Sequence, residues 1–204
     1  MRNEALQSVA LGEGKRKLTE RIRETIHGNY SAEALAKSQD PWIRSCRNVA
    51  EYELKCAKRI AQTERTRVQS QARYEAGQKA SELGVSIMQE WHCTFLPEIP
   101  GRPGTGSRDT HKALHGQQKP LNEPFELTDG DLLKFPGDPD GKACNVINCY
   151  CYLTQEALPP GQIATSGWDE EARGLTEAEV RERYGYIEDT QSSDNQHEQN
   201  LLSA

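Results

Sequence analysis

The sequence is short of apolar material. Only 35% of its 204 residues are hydrophobic, three are phenylalanine, three tryptophan and two methionine, and the mean hydropathy is -0.83. Such a chain can bury one compact core with extensions, but not a large multi-domain interior. No apolar run nears the roughly 18 residues of a membrane helix, so no membrane partner is expected. Met1 to Leu11 lacks the apolar stretch of a secretory signal, which points to synthesis in a cytoplasm. The chain has no Gly-x-Gly-x-x-Gly, no Walker loop, no Gly-x-Ser-x-Gly and no His-Glu-x-x-His, so the common nucleotide-binding and hydrolase signatures are missing. It has no internal repeat, which argues against a solenoid.

What is present is unevenly spread. Residues 1–90 carry 16 Lys and Arg against 12 Asp and Glu, and residues 91–204 carry 9 against 19. A surplus of four positive charges is too small for tight phosphate binding, so the basic half is expected to be a solvated helix surface with weak DNA contact at most. Six cysteines in a cytoplasmic chain read as thiols or metal ligands rather than a disulfide framework.

Residues 15–27 set Leu18, Ile22 and Ile26 at intervals of four, one narrow apolar stripe on a charged helix that Gly28 and Asn29 end. Ser31 to Ala36 is a weaker helical piece, broken by Gln39-Asp40-Pro41. A longer helix is predicted from about Asn48 to Leu83. There Ala50, Leu54, Ala57, Ala61, Val68, Ala72, Ala76, Ala80 and Leu83 repeat at threes and fours, with a lapse around Glu64 and Arg65 and a cap at Gly84. An alanine stripe permits close approach but covers little area, at about 25 cal/mol per Å². This helix therefore needs a partner: the first helix, another subunit or a large assembly.

At Val85 the period changes. Val85, Ile87, Trp91, Cys93 and Phe95 alternate with Gln89 alone out of pattern, which predicts a strand over 85–95. A Pro- and Gly-rich loop follows over 96–106, and Ser107 is expected to cap a short helix over 108–115 that Gly116 ends. Lys119 to Phe125 is extended, Asp129-Gly130 makes a turn, and strands are predicted over Leu132–Phe135 and Val146–Leu153. The fold class is thus α+β. It comprises a helical region (1–84) with one long alanine-rich helix, a small mixed domain (85–155) with short strands and one short helix, and an acidic polar tail (156–204). The tail is expected to be disordered except for one helix over 177–184, announced by the Thr176-x-x-Glu179 capping box.

His111 and His115 lie four apart on the short helix, so both imidazoles share a face. Cys149 and Cys151 lie two apart on a predicted strand and share a face as well. Together His111, His115, Cys149 and Cys151 form a donor set suited to tetrahedral zinc. The two cysteines equally read as small buried hydrophobes, and the residues alone leave that choice open. His92, Cys93 and Cys144 are further candidate ligands if the last strand lies beside the first. Asp109 and His111 invite a general acid–base reading, but a helical spacing of two points them apart, and an acid in the first turn is explained by the helix dipole. No catalytic residue is assigned.

Taken in order, Arg108-x-x-His111-x-x-x-His115-Gly116, Pro120-Leu121-x-Glu123-Pro124-Phe125, Phe135-Pro136-Gly137-Asp138 and Ile147-Asn148-Cys149-x-Cys151 resemble the C-terminal domain of the phage Mu F-like head morphogenesis proteins, also described as minor capsid proteins. Upstream, the run from Ala57 through Arg59-Ile60-Ala61-Gln62-Thr63-Glu64 to Arg67 is similar to that family's Arg-x-Ile-Ala-Arg-Thr-Glu-Thr segment, followed by an Ala/Gly-rich helix and a tryptophan, here Trp91. The resemblance spans roughly residues 12–154. Cys149-Tyr150-Cys151 stands where the family usually has Cys-Arg-Cys, and the loop over 96–106 is longer than the family's short Asp-x-Arg-Thr-Arg passage. Members are commonly longer at the N-terminus, so the chain reads as a short member or a fragment.

The resemblance implies a non-enzymatic minor virion component, made in the host cytoplasm, that acts in procapsid assembly beside the portal. Its implied partners are portal, major capsid or scaffold proteins, and in some phages it travels with the DNA. Some relatives join this domain to toxin or ADP-ribosyltransferase modules, for which residues 156–204 are too short and too polar. Two rival readings stand beside it: a zinc- or His-dependent hydrolase or nuclease-type toxin, and a metal-stabilised binding module.

Overall fold

A computed structural model describes residues 2–97 and 106–169, together with Glu179 and Glu182. Most of the Pro/Gly loop, most of the helix expected over 177–184 and the tail expected to be disordered beyond residue 169, Glu179 and Glu182 apart, lie outside the described residues. Five helices come first: α1 (Arg2–Ala10), α2 (Lys15–Ile26), α3 (Ala32–Lys37), α4 (Pro41–Arg44) and α5 (Val49–Glu82). Helix α1 is an element that sequence periodicity did not announce.

Helix α5 runs for 34 residues, about 50 Å at 1.5 Å per residue. Asn48 caps it by accepting the Glu51 N–H at 2.9 Å, and Gly84 follows its end in the left-handed region at φ 86°. Its N-terminal half buries Ala57 and Ala61 against the Leu18, Ile22 and Ile26 stripe of α2, with Ala5 of α1 in the same cluster. The chain thus supplies the partner for the first part of the alanine stripe, whereas Ala72, Ala76 and Leu83 of the same stripe are exposed. The small side chains let the helices approach closely, and Ala57 and Ala61 are 0% exposed.

The second half of the chain builds an antiparallel sheet of order β5-β1-β2-β6 from β1 (Ile87–His92), β2 (Gln117–Pro120), β5 (Tyr152–Ala157) and β6 (Gly167–Trp168). Between β1 and β2 lies the one-turn helix α6 (Asp109–Lys112). Between β2 and β5 come the hairpin β3 (Phe125–Glu126) and β4 (Leu132–Leu133), turned at Gly130, and the one-turn helix α7 (Ala143–Val146). The core of this unit gathers Trp91, Leu114, Phe125, Leu127, Leu133, Phe135, Val146 and Leu153, with Tyr74 of α5 packed against it. The architecture is the α+β one expected, a long helix followed by a small mixed unit.

Several expectations are corrected. The first strand covers Ile87–His92 rather than 85–95, because the Val85 N–H still bonds back to Ala80 O at the end of α5 and the chain leaves the sheet after His92. Gln89, out of pattern in sequence, is fully buried on the same side as Ile87 and Trp91. Ser107 does not cap the short helix. Arg108 stands at that position, and the Ser107 hydroxyl instead accepts the Leu96 N–H at 2.8 Å and ties the neck of the Pro/Gly loop. The strand predicted over Val146–Leu153 is displaced: α7 ends at Val146, 147–151 is irregular, and the strand begins at Tyr152. Strand β6 adds Trp168 to the sheet opposite Gln117, so the sheet extends past residue 155.

Candidate metal centre

Three segments bring cysteine and histidine together inside this unit. Strand β1 ends at His92, and Cys93 follows it into the core at 2% exposed. Helix α6 presents His111, which is 1% exposed. The irregular segment after α7 turns through Asn148, whose φ of 57° is a left-handed conformation that asparagine tolerates, and delivers Cys149 and Cys151 to the same side.

Helix α5 holds that segment by its backbone. Thr63 donates its hydroxyl proton to Arg59 O and accepts the Asn148 N–H at 2.8 Å. Thr66 donates to Cys149 O at 2.7 Å, and Gln62 Nε2 donates to the same oxygen at 3.1 Å. Arg73 donates to Leu153 O at 3.1 Å. These polar residues were not singled out in the sequence. The signal for Gln62, Thr63 and Thr66 was available: they sit where the alanine period lapses, inside the segment similar to the Mu F-like motif, whereas Arg73 lies beyond it.

The His111 Nδ1 lies 3.5 Å from Cys149 Sγ and 3.4 Å from Cys151 Sγ, and the three ligating atoms all lie within 4.8 Å of one another. Two donors on one tetrahedral zinc, at about 2.3 Å for sulfur and 2.0–2.1 Å for nitrogen, stand about 3.5 Å apart. One S–H···N hydrogen bond would also fit such a distance. An imidazole nitrogen, however, has a single lone pair or a single proton, and here it faces two sulfurs equally. His111, Cys149 and Cys151 therefore form a cluster that can hold a metal ion.

The thiols lean on one another. Cys151 is the middle one, in hydrogen-bonding contact with both Cys149 and Cys93. That contact lowers the pKa of Cys149 and of Cys93 against the opposing effect of burial, with His111 adding to the lowering in each. Burial, reinforced by the two neighbouring sulfurs, raises that of Cys151. The His111 ring meets Trp91 edge-on, with centroids 5.6 Å apart, and its Nε2 has no hydrogen-bond partner among the described residues. A groove of about 430 Å³ lined by Lys15, Arg65, Arg73, Thr94 and Tyr150 reaches Cys151 from outside.

The other sequence candidates sit elsewhere. His115 turns its Nδ1 to the Cys93 backbone N–H, 3.1 Å away, and packs edge-on against Phe95 with centroids 5.0 Å apart. It is not grouped with His111 and the sulfurs, because α6 is a single turn and His115 lies beyond it. His92 Nε2 pairs with Thr154 Oγ1 at 2.9 Å, its ring stacks on Tyr152, and burial lowers its pKa to about 4. Cys144 is exposed on α7. Asp109 is exposed and pairs with Lys112, whereas His111 is buried, so no acid–base pair forms between Asp109 and His111.

Comparison with known proteins bears on the same residues. The family model described as Phage Mu protein F like protein matches residues 1–154. Among curated proteins, the NAD(+)--arginine ADP-ribosyltransferase EFV of Enterococcus faecalis (strain ATCC 700802 / V583) is 33% identical over 101 residues, or 50% of this chain. Those residues make up 19% of that protein's length. No solved structure matches the chain.

Proposed function

The chain belongs to the Phage Mu protein F like family, structural phage proteins of head morphogenesis, and from that premise we propose that it acts beside the portal or on the procapsid interior as a minor capsid component. The observation that carries this reading is the family match over 1–154, which takes in both the helical region and the unit holding the His/Cys cluster. The partners are portal, major capsid or scaffold proteins. Ala57 and Ala61 are already covered by α2, so partner contact falls on other surfaces of the molecule. DNA contact through the basic half is weak: Arg21, Arg47, Lys55 and Arg67 are each engaged with a carboxylate.

The ion at the cluster is zinc, because thiolate and imidazole donors with short tetrahedral spacing suit it best. The protein is non-enzymatic, and His111, Cys149 and Cys151 serve architecture. The ADP-ribosyltransferase likeness covers too small a share of that enzyme to bring its activity here.

Co-expression of the tagged chain with portal, scaffold and major capsid proteins, followed by isolation of procapsids, tests the assembly role. The expected result is a fixed low copy number in procapsids that contain portal and a loss in portal-less particles. Absence from procapsids at every stage of assembly would sink it. Incubation with labelled NAD and arginine-rich protein is expected to give no transfer.

A further inference from the structure

We infer that Cys93 is the fourth ligand at the cluster, closing a tetrahedral site of three thiolates and one imidazole around a single zinc ion. The inference rests on the zinc reading above and replaces His115 of the sequence-derived set. The cluster as it stands supplies three donors, and a three-donor zinc site leaves a position open to water, the layout of hydrolytic centres. What fills that position decides whether the site is architectural or reactive.

Three observations select Cys93. Its thiol is in contact with that of Cys151, on which the cluster is centred, and close enough to His111 to feel its charge. It is buried in the same core cluster as Cys149 and Cys151, among Trp91, Leu114, Phe125 and Leu153, where a zinc-bound water would face apolar walls. Its backbone N–H is held by His115 Nδ1 at 3.1 Å, which places His115 behind the ligand, where it fixes the Cys93 main chain. The Cys93 sulfur stands outside the group of atoms within 4.8 Å of one another, so its side chain must move toward the ion when metal binds.

The chemistry is consistent. Binding Zn²⁺ displaces the protons of the three thiols, and thiolate is the form of cysteine that ligates the ion. The ion would join the end of β1, α6 and the segment before β5, adding to the β1–β5 ladder that ends at His92 and Tyr152 and to the Arg108 hydrogen bond with Ile147 O.

The test uses the full chain purified without chelator, with metal content by elemental analysis and the zinc shell by X-ray absorption. The expected result is one zinc per chain, with three sulfurs near 2.3 Å and one nitrogen near 2.0–2.1 Å. Cobalt substitution should give a tetrahedral spectrum, and Cys93→Ser should lose about one third of its thiolate charge-transfer intensity. His115→Ala should keep the three-sulfur shell. A shell of two sulfurs with two nitrogens, or with nitrogen and oxygen, in the wild-type chain would overturn the assignment of Cys93 while leaving zinc in place. A chain with no zinc after growth in zinc-supplemented medium would instead overturn the zinc reading on which it rests. Because the absorption measurement needs no variant, poor folding of Cys93→Ser would not obscure the outcome.

Discussion

His92 lies between β5 and His115, stacked on Tyr152 and paired with Thr154, and its environment disfavours the imidazolium. Burial lowers its pKa from 6.5 to about 4, aided by His115 and opposed by Asp169. Between those two values the unfolded chain binds a proton that the folded chain resists. Stability from this residue is therefore full above about pH 6.5 and declines as pH falls toward 4, by up to about 3 kcal/mol. Glu90, whose pKa burial raises, contributes the opposite slope at its own titration. Urea unfolding at pH 7 and pH 4.5 should show a smaller acid loss in His92→Gln than in wild type, and the difference cancels any acid release of metal common to both. Gly137 makes a second prediction at this scale. Its φ is 81°, and an added Cβ would lie 3.1 Å from the Arg67 backbone of α5. Gly137→Ala meets both a left-handed conformation and an unyielding neighbour, and should lower stability by about 2 kcal/mol or more in a thermal melt. The Phe135-Pro136-Gly137-Asp138 motif has a physical reason here: it is where a loop passes over a helix backbone.

At the scale of elements, α5 has two jobs divided along its length. Its alanines take α2, and its Gln62, Thr63 and Thr66 take the segment of the metal cluster. Thr66→Val removes a donor from Cys149 O inside the protein, at a cost of about 1–3 kcal/mol by urea unfolding. A zinc affinity lower by about 10–100-fold, measured by chelator competition, should accompany it, because the ligand segment loses its brace. Ala61→Leu tests the other end. Ala61 is fully buried against α2, so extra methylenes should cost about 1–3 kcal/mol without changing metal content. The helices α2, α3 and α5 were legible in sequence to within a residue or two, since apolar spacing and caps are local signals. The last strand was not. Ile147, Cys149, Cys151 and Leu153 alternate with Asn148, Tyr150 and Tyr152 as a strand would, yet Asn148 turns the chain and α5 captures its backbone. Hydrogen bonds from a helix more than 80 residues away leave no local periodicity to read.

At the scale of the molecule, two hydrophobic clusters are strung on one helix: Leu18, Ile22, Ala57 and Ala61 at one end, Trp91, Phe125, Leu133 and the cysteines at the other. An ion bound within the second cluster stabilises the half that contains it, by mass action on the folded form. Hydrogen exchange should show chelation raising exchange in 87–93 and 147–157 while 15–26 and 49–61 stay protected. Uniform loosening across both regions would count against this division.

The sequence by itself determined the helical first half, the α+β class, the ordered motifs that belong to the family, and a candidate set of His111, His115, Cys149 and Cys151, from which the structure groups His111, Cys149 and Cys151. Each of these follows from spacing, composition or residue order along the chain. Only the tertiary structure decided that α2 covers Ala57 and Ala61 of the alanine stripe, that His115 backs Cys93 instead of facing the sulfurs, and that α5 clamps the cysteine segment. Those outcomes depend on which distant surfaces meet. A sequence states what each surface offers, and the packing of the whole chain settles which offers are taken.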